Sequence, residues 1–195
     1  MFFHSKIQRQ QSRGFGLIEL MVSISIMTLV SAIIMTRQSA FNGAVLLRNQ
    51  AYEVAFALRE AQLLAVSGGD ETSRIYGVYF DTTTANQRTY RIFRDDNENG
   101  TLDTGEQIGL TGQLDSRFEV RGVAPATGSE LAVVFTRPNF DARFCSRSGG
   151  CTVPGHFSAG PGYIDIARLD VTTDGVGDVR RVQVSDTGQI SVVTY

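Results

Sequence analysis

The apolar positions of the chain are concentrated near its amino terminus. Residues 15 to 35 read FGLIELMVSISIMTLVSAIIM, and Glu19 is the only charged residue in this run. A helix needs about 20 apolar residues to cross the hydrocarbon core of a bilayer, which is about 30 Å thick. The pattern therefore predicts a helix that spans a membrane over about residues 15 to 36.

A second apolar pattern continues the helix beyond the predicted span. Apolar residues recur at alternating steps of three and four, which places them on one face of a helix. They are Ala44, Leu47, Ala51, Val54, Leu58, Ala61 and Ala65. The pattern stops before Gly68 and Gly69, so we expect one stalk helix over residues 15 to 67, with Asn42 and Gly43 as its weak point.

From residue 73 to residue 195 the pattern changes to short β-rich runs separated by turn residues. Eight runs are predicted as strands: RIYGVYF, QRTYRIFR, EQIGL, RFEVRGV, ELAVVFT, YIDIARLDV, VRRVQV and QISVVT. The turn at 186–188 should join the last two as a hairpin, and the glycine-rich stretch 146–162 is expected to be a long ordered loop. The predicted fold class is α+β, with a long stalk helix packed on an antiparallel, β-sandwich-like head.

Charge and composition exclude several classes of function. The 195 residues carry a formal net charge of -2, so no overall positive potential attracts nucleic acid or an anionic membrane. One lysine and two histidines are too few for a His-rich metal site, and the lysine is not in a Walker motif. No catalytic motif is found, and we do not expect an enzyme.

The charges on either side of the predicted span indicate its orientation. The leader, residues 1 to 14, carries Lys6, Arg9 and Arg13 and no acidic residue, whereas the far side carries Arg37 alone. The positive-inside rule then keeps the leader in the cytoplasm and exports the head. A secretory signal peptide fits poorly, because its apolar region would be about 7 to 15 residues long. A plain signal anchor is the other alternative.

The junction between leader and span has a more specific pattern. RGFGLIEL, residues 13 to 20, places Gly14 before Phe15, and Glu19 is the fifth residue of the apolar run. This pattern resembles the class III signal of type IV prepilins. The resemblance implies that a prepilin peptidase cuts between Gly14 and Phe15 and methylates the new amino terminus. It also implies that Glu19 pairs with the terminal amine of a neighbouring subunit, since an isolated carboxylate in a membrane is costly.

A second resemblance covers the end of the helix and the first strand. The REAQ of the helix and the GVYF that follows are similar to the FimT-like and H-type minor pseudopilin family. The resemblance implies a structural subunit of a type IV pilus or a type II secretion pseudopilus. Its partners would be the prepilin peptidase, other pilin or pseudopilin subunits, the inner-membrane assembly platform and membrane lipid. The subunit would pass once through the cytoplasmic membrane, then enter a periplasmic pseudopilus or an extracellular pilus.

An acidic segment provides the candidate ligand site of the head. DDNENGTLDTGE matches D-x-[DN]-x-[DN]-G-x5-E, the spacing that wraps oxygen ligands around calcium. The predicted ligands are Asp95, Asn97, Asn99, Thr101 through its carbonyl, Asp103 and Glu106. The flanking runs are predicted strands, so the loop would lie in a hairpin and not between the helices of an EF-hand. The alternative is an acidic hairpin tip that binds no ion, because these residue types are common in turns.

The two cysteines of the head are candidates for a disulfide. Cys145 and Cys151 are predicted to form a disulfide in an exported head.

Some FimT-like proteins take up DNA through a Gly-Arg-x-Arg arrangement, but residues 188 to 191 read GQIS here, so nucleic acid is not an expected partner. The alternative function is a calcium-stabilised surface-display module, an adhesin or DNA-uptake receptor on a pilin stalk.

Overall fold

A computed structural model describes most of the chain. The described residues are 16–67, 75–125, 128–136, 140–152, 161–169 and 178–194, without the side chains of residues 36–41. The chain divides into two compact units, Met1–Asn42 and Gly43–Tyr195. The leader and the predicted processing residues Gly14 and Phe15 lie outside the described residues.

The first unit contains the apolar part of helix α1, Leu17–Ser67. The backbone N–H groups of Glu19 and Leu20 donate to the carbonyl of Gly16 and form the first turn. Leu17–Met35 is long and apolar enough to cross a membrane, and none of it is buried within the structure. The predicted apolar helix near the amino terminus is therefore confirmed.

The second unit begins at Gly43 and includes the rest of α1. Six of the seven residues in the predicted apolar face are fully buried, namely Leu47, Ala51, Val54, Leu58, Ala61 and Ala65. Ala44 is half-buried at the start of this face. The helical periodicity thus identified the side of α1 that packs into the head.

The head contains two antiparallel sheets, which together with α1 confirm the predicted α+β class. The larger has strand order β3-β2-β1-β5-β6-β7, and the smaller has order β10-β9-β8-β4. The strands are β1 Ile75–Asp81, β2 Thr89–Arg94, β3 Gly112–Gln113, β4 Phe118–Ala124, β5 Glu130–Thr136, β6 Ala142–Ser146, β7 Gly150–Cys151, β8 Gly162–Arg168, β9 Val179–Val184 and β10 Ile190–Thr194.

Both sheets contribute to one core around the buried face of α1. Phe80 and Phe135 come from the larger sheet, and Ile164 and Val182 come from the smaller one. The opposite face of the larger sheet carries a second, smaller apolar cluster, because alternate residues of a strand point to opposite faces. This second cluster consists of Ile75, Phe93, Leu102, Ala132, Val134 and Cys145.

Two segments differ from the predicted strands and loops. Residues 106–110, the EQIGL run, form no strand, and only Gln107 bridges to Phe93. Gly109 has φ +68, a left-handed conformation, and regular pairing with β2 begins only at Gly112. The predicted loop 146–162 contains the end of β6, all of β7 and the start of β8, while residues 153–160 lie outside the described residues.

Candidate functional site

The apolar part of α1 carries hydroxyl side chains that are satisfied within the helix. Four hydroxyls donate to backbone carbonyls three or four residues earlier, at 2.7 to 2.9 Å; they belong to Ser23, Ser25, Thr28 and Ser31. A polar group without a partner is costly in hydrocarbon, and these bonds remove that cost. The described hydroxyls of the span therefore need no partner from another molecule.

Glu19 is the exception among the polar side chains of this segment. It lies in the first turn of α1, where its negative charge faces the positive end of the helix dipole. Its carboxylate forms no ion pair with any described residue, and the residues of the helix around it are exposed. The structure thus has one acidic side chain, Glu19, in the first turn of an exposed apolar helix.

The acidic segment lies in a hairpin that extends β2, as expected. The N–H of Arg94 donates to the carbonyl of Glu106 at 2.9 Å, and the N–H of Ile108 donates to the carbonyl of Ile92 at 2.8 Å. These bonds close the base of the loop from Asp95 to Glu106. The candidate ligands are therefore brought together between two paired segments of backbone.

The two carboxylates at the ends of the loop bind its backbone. The oxygens of Asp95 accept from the N–H groups of Asn99 at 3.1 Å and Gly100 at 2.7 Å. Those of Glu106 accept from the N–H groups of Asp96 at 3.0 Å and Asp103 at 2.8 Å. Asp95 and Glu106 are both buried, and burial raises the pKa of Asp95 while the Glu106 charge raises it further.

The middle of the loop is a polar network centred on Asp103. The side-chain amides of Asn97 and Asn99 donate to one oxygen of this carboxylate, at 2.9 and 2.7 Å. These two hydrogen bonds hold the pKa of Asp103 below its usual value. Within the described residues, no three His, Cys, Asp or Glu side chains are grouped closely enough to hold a metal ion. Calcium binding by this loop stays a prediction.

The predicted disulfide between Cys145 and Cys151 is confirmed, and it lies against the acidic loop. It joins paired residues of the β6–β7 hairpin, with Cα atoms 4.0 Å apart. The Sγ of Cys151 lies 3.8 Å from the carbonyl oxygen of Asn99. A Cβ atom added at Gly100 would overlap both sulfur atoms, so only glycine fits between the loop and the disulfide.

A residue that the sequence analysis did not single out also holds the loop. Arg147, between the two cysteines, donates to the carbonyl of Leu102 at 3.0 Å and lies 3.5 Å from the carboxylate of Asp103. Leu102 itself is buried in the second apolar cluster. The SRSGG run between the cysteines is typical of a tight turn, but it does not indicate the contact of Arg147 with the loop.

Several arginines of the head are paired with acidic groups. Four pairs have distances of 2.6 to 3.0 Å: Arg94 with Asp96, Arg117 with Asp115, Arg121 with Glu119 and Arg181 with Asp165. Arg181 also stacks 3.7 Å from the ring centre of Tyr163. Each of these arginines is paired with a nearby carboxylate, which leaves less positive charge to attract the phosphate backbone of a nucleic acid.

Comparisons with known proteins add information at the amino terminus. The model of the prokaryotic N-terminal methylation motif matches residues 9–35. This range includes Gly14, Phe15 and Glu19 together with the apolar run. The comparisons with curated proteins and with solved structures gave no match. On the motif and the apolar helix that carries it, the chain is a type IV pilin-like protein with a class III prepilin signal.

Proposed function

We propose that this chain is a minor pilin or pseudopilin, a structural subunit of a type IV pilus or a type II secretion pseudopilus. The observation that carries the proposal is Glu19, a single charge on an exposed apolar helix that begins within the methylation motif. A carboxylate in a membrane requires a partner, and the terminal amine of a neighbouring subunit would supply one. The FimT-like and H-type resemblance supports the minor-subunit assignment.

In this proposal the chain is first inserted with its leader in the cytoplasm. The prepilin peptidase then cuts between Gly14 and Phe15 and methylates the amine of Phe15. The cut removes Lys6, Arg9 and Arg13 with no acidic residue, so the formal net charge changes from -2 to -5. The loss of the basic leader releases the amino terminus from the cytoplasmic side, and the assembly platform then adds the subunit to the fibre.

The cleavage step is tested by substituting the residue before the cut. Gly14→Val is expected to leave most copies of the chain unprocessed, because a branched side chain fills the space that the peptidase requires at this position. Gly14→Ala should be processed in part, and Gly16→Ala, two residues after Gly14, is the control that should be processed normally. The ratio of precursor to mature chain on a gel is the measurement. Efficient cleavage of the valine variant would contradict the proposed processing site.

We further propose that the loop from Asp95 to Glu106 binds calcium. The support is the full spacing of the motif, together with the hydrogen bonds that link Asp95, Asn97, Asn99 and Asp103. Carboxylate oxygens retain a second lone pair after accepting one hydrogen bond, so the backbone bonds of Asp95 and Glu106 leave room for a cation. Calcium would also offset the mutual repulsion of these two buried carboxylates.

Calcium binding is tested by the melting temperature of the chain in calcium and in chelator. A ligand at a hundredfold excess over its Kd stabilises the folded state by about 2.7 kcal/mol. For a head of this size, the melting temperature should rise by about 5 to 10 °C. Glu106→Gln should abolish the rise, whereas Glu98→Gln, at a position outside the ligand pattern, should retain it. Equal melting of the parent in calcium and chelator would show that the loop is an acidic turn only.

A second candidate function is a surface-display binding module on the same stalk. The observation that favours it is the organised loop, which is held by a disulfide, an arginine and a buried leucine. Such a module would use calcium to order a surface for adhesion or for DNA uptake. Binding of the purified chain to host surface components or DNA, dependent on calcium and lost in Glu106→Gln, would support this function.

A further inference from the structure

The second half of α1 carries an apolar stripe on the side that faces away from the head core. Phe56 and Leu63 are each 65% exposed, and Val45 and Tyr52 are exposed as well. Their spacing of seven, four and seven residues places all four within a band about 40° wide on the helix. The band is centred opposite the buried face. We call these four residues the outer stripe.

The outer stripe has basic residues along one flank and acidic residues along the other. Arg48 lies over the ring of Tyr52 at 5.5 Å, and Arg59 lies over the ring of Phe56 at 6.0 Å. Helical geometry puts Glu53 and Glu60 on the opposite flank. All four charged residues are exposed. The stripe is therefore an apolar seam with charges of opposite sign on its two sides.

A groove of about 330 Å³ lies along the acidic flank. Glu53 and Glu60 line one side of the groove, and Tyr90 and Ile92 of β2 line the other. Leu110, which is 94% exposed, extends the apolar surface at its rim. Burial raises the pKa of the Tyr90 hydroxyl, and the two glutamates raise it further. The groove combines an apolar wall with negative charge, which suits the apolar stem and the cation of an arginine.

We propose that the outer stripe packs against the outer stripe of a second copy of this chain, with the two helices parallel. The basic flank of each copy then lies against the acidic flank and groove of the other. This inference rests on the proposed function, in which every copy is inserted in the same direction. Charge complementarity identifies the partner as a second copy, because the basic flank of one outer stripe matches the acidic flank of another.

The charges also determine the relative direction of the two helices. When two such stripes meet in parallel, Arg48 and Arg59 of one copy face Glu53 and Glu60 of the other. When they meet in an antiparallel pair, arginine faces arginine and glutamate faces glutamate. Flanking charges set partner and orientation in coiled coils by the same rule. Parallel packing is thus favoured both by the charges and by the shared direction of insertion.

The test is a cysteine crosslink between copies of the full chain in membranes. The only two cysteines of the chain are already joined, so Arg59→Cys combined with Glu60→Cys adds the only free thiols. The stripe, Arg48 and Glu53 remain in this double variant. Mild oxidation should yield covalent dimers on a non-reducing gel, at least about tenfold more than with either single substitution. Adjacent residues of one helix are poorly placed to join within a copy.

A third substitution tests whether the stripe is responsible for the crosslink. Phe56→Asp, added to the double variant, should reduce the dimer at least about tenfold, because it puts a charge in the apolar seam. Leu169→Asp, an exposed apolar residue after β8, is the matched control and should leave the dimer unchanged. Absence of the dimer, or equal dimer from the single variants, would overturn the proposal. The assay needs no fibre. A chain that is cleaved and methylated but forms no dimer would therefore refute the contact between outer stripes without refuting the proposed function.

Discussion

Glu19→Val is expected to leave membrane insertion and cleavage intact and to reduce incorporation of the chain into fibres by about tenfold or more. Removing a charge from the span favours insertion. The same change removes the only acidic group of the span that is available to a neighbour's amine. A loss of about 1.4 kcal/mol in pairing corresponds to tenfold, and a charged side chain at the centre of a bilayer costs about 2.5 to 3.5 kcal/mol.

The measurement is the amount of mature chain in sheared fibres, relative to the amount in membranes. Ser23→Ala is the matched control, because it also removes a polar group from the span. The Ser23 hydroxyl already donates to the carbonyl of Glu19 at 2.7 Å, so its loss should not affect assembly. If Glu19→Val enters fibres as well as the parent does, Glu19 is a tolerated residue of a plain anchor.

Gly100→Ala is expected to destabilise the head by about 2 to 5 kcal/mol. The residue has φ +75, where a side chain costs about 1 kcal/mol or more in backbone strain. Its Cβ would also overlap the sulfur atoms of Cys145 and Cys151, and overpacking adds about 1 to 3 kcal/mol. The melting temperature should fall by about 10 °C for a head of this size.

Gly105→Ala separates the two causes. Gly105 has φ +96 in the same loop, but a Cβ atom at this position would contact nothing within 4 Å. This variant should therefore show the strain without the overlap, and its melting temperature should fall much less. Equal loss in the two variants would mean that the disulfide does not support the loop.

The helix could be predicted from the sequence because its two halves follow simple patterns. An uninterrupted apolar run predicts a span, and steps of three and four predict one buried face, which Leu47 and Leu58 confirm. The periodic pattern does not predict the outer stripe, because its four residues lie outside the apolar face at steps of three and four. Phe56 and Leu63 are apolar despite that position, and only their exposure in the structure reveals the stripe.

The environment of the acidic loop depends on contacts between distant segments. The spacing from Asp95 to Glu106 predicted its ligand pattern and its place in a hairpin. No local pattern could bring Gly100 against Cys151, since the two residues are far apart in the chain and meet only across the folded sheet. Arg147 was missed for the same reason, as its acceptor is the carbonyl of Leu102.

The intact mass of the chain recovered from sheared fibres tests whether the chain is a processed fibre subunit. We expect the mass of a chain that begins at Phe15, with one added methyl group on its amine and the Cys145–Cys151 disulfide formed. Recovery of a chain that retains its leader, or that begins at any residue other than methylated Phe15, would contradict its assignment as a processed pilin-like subunit.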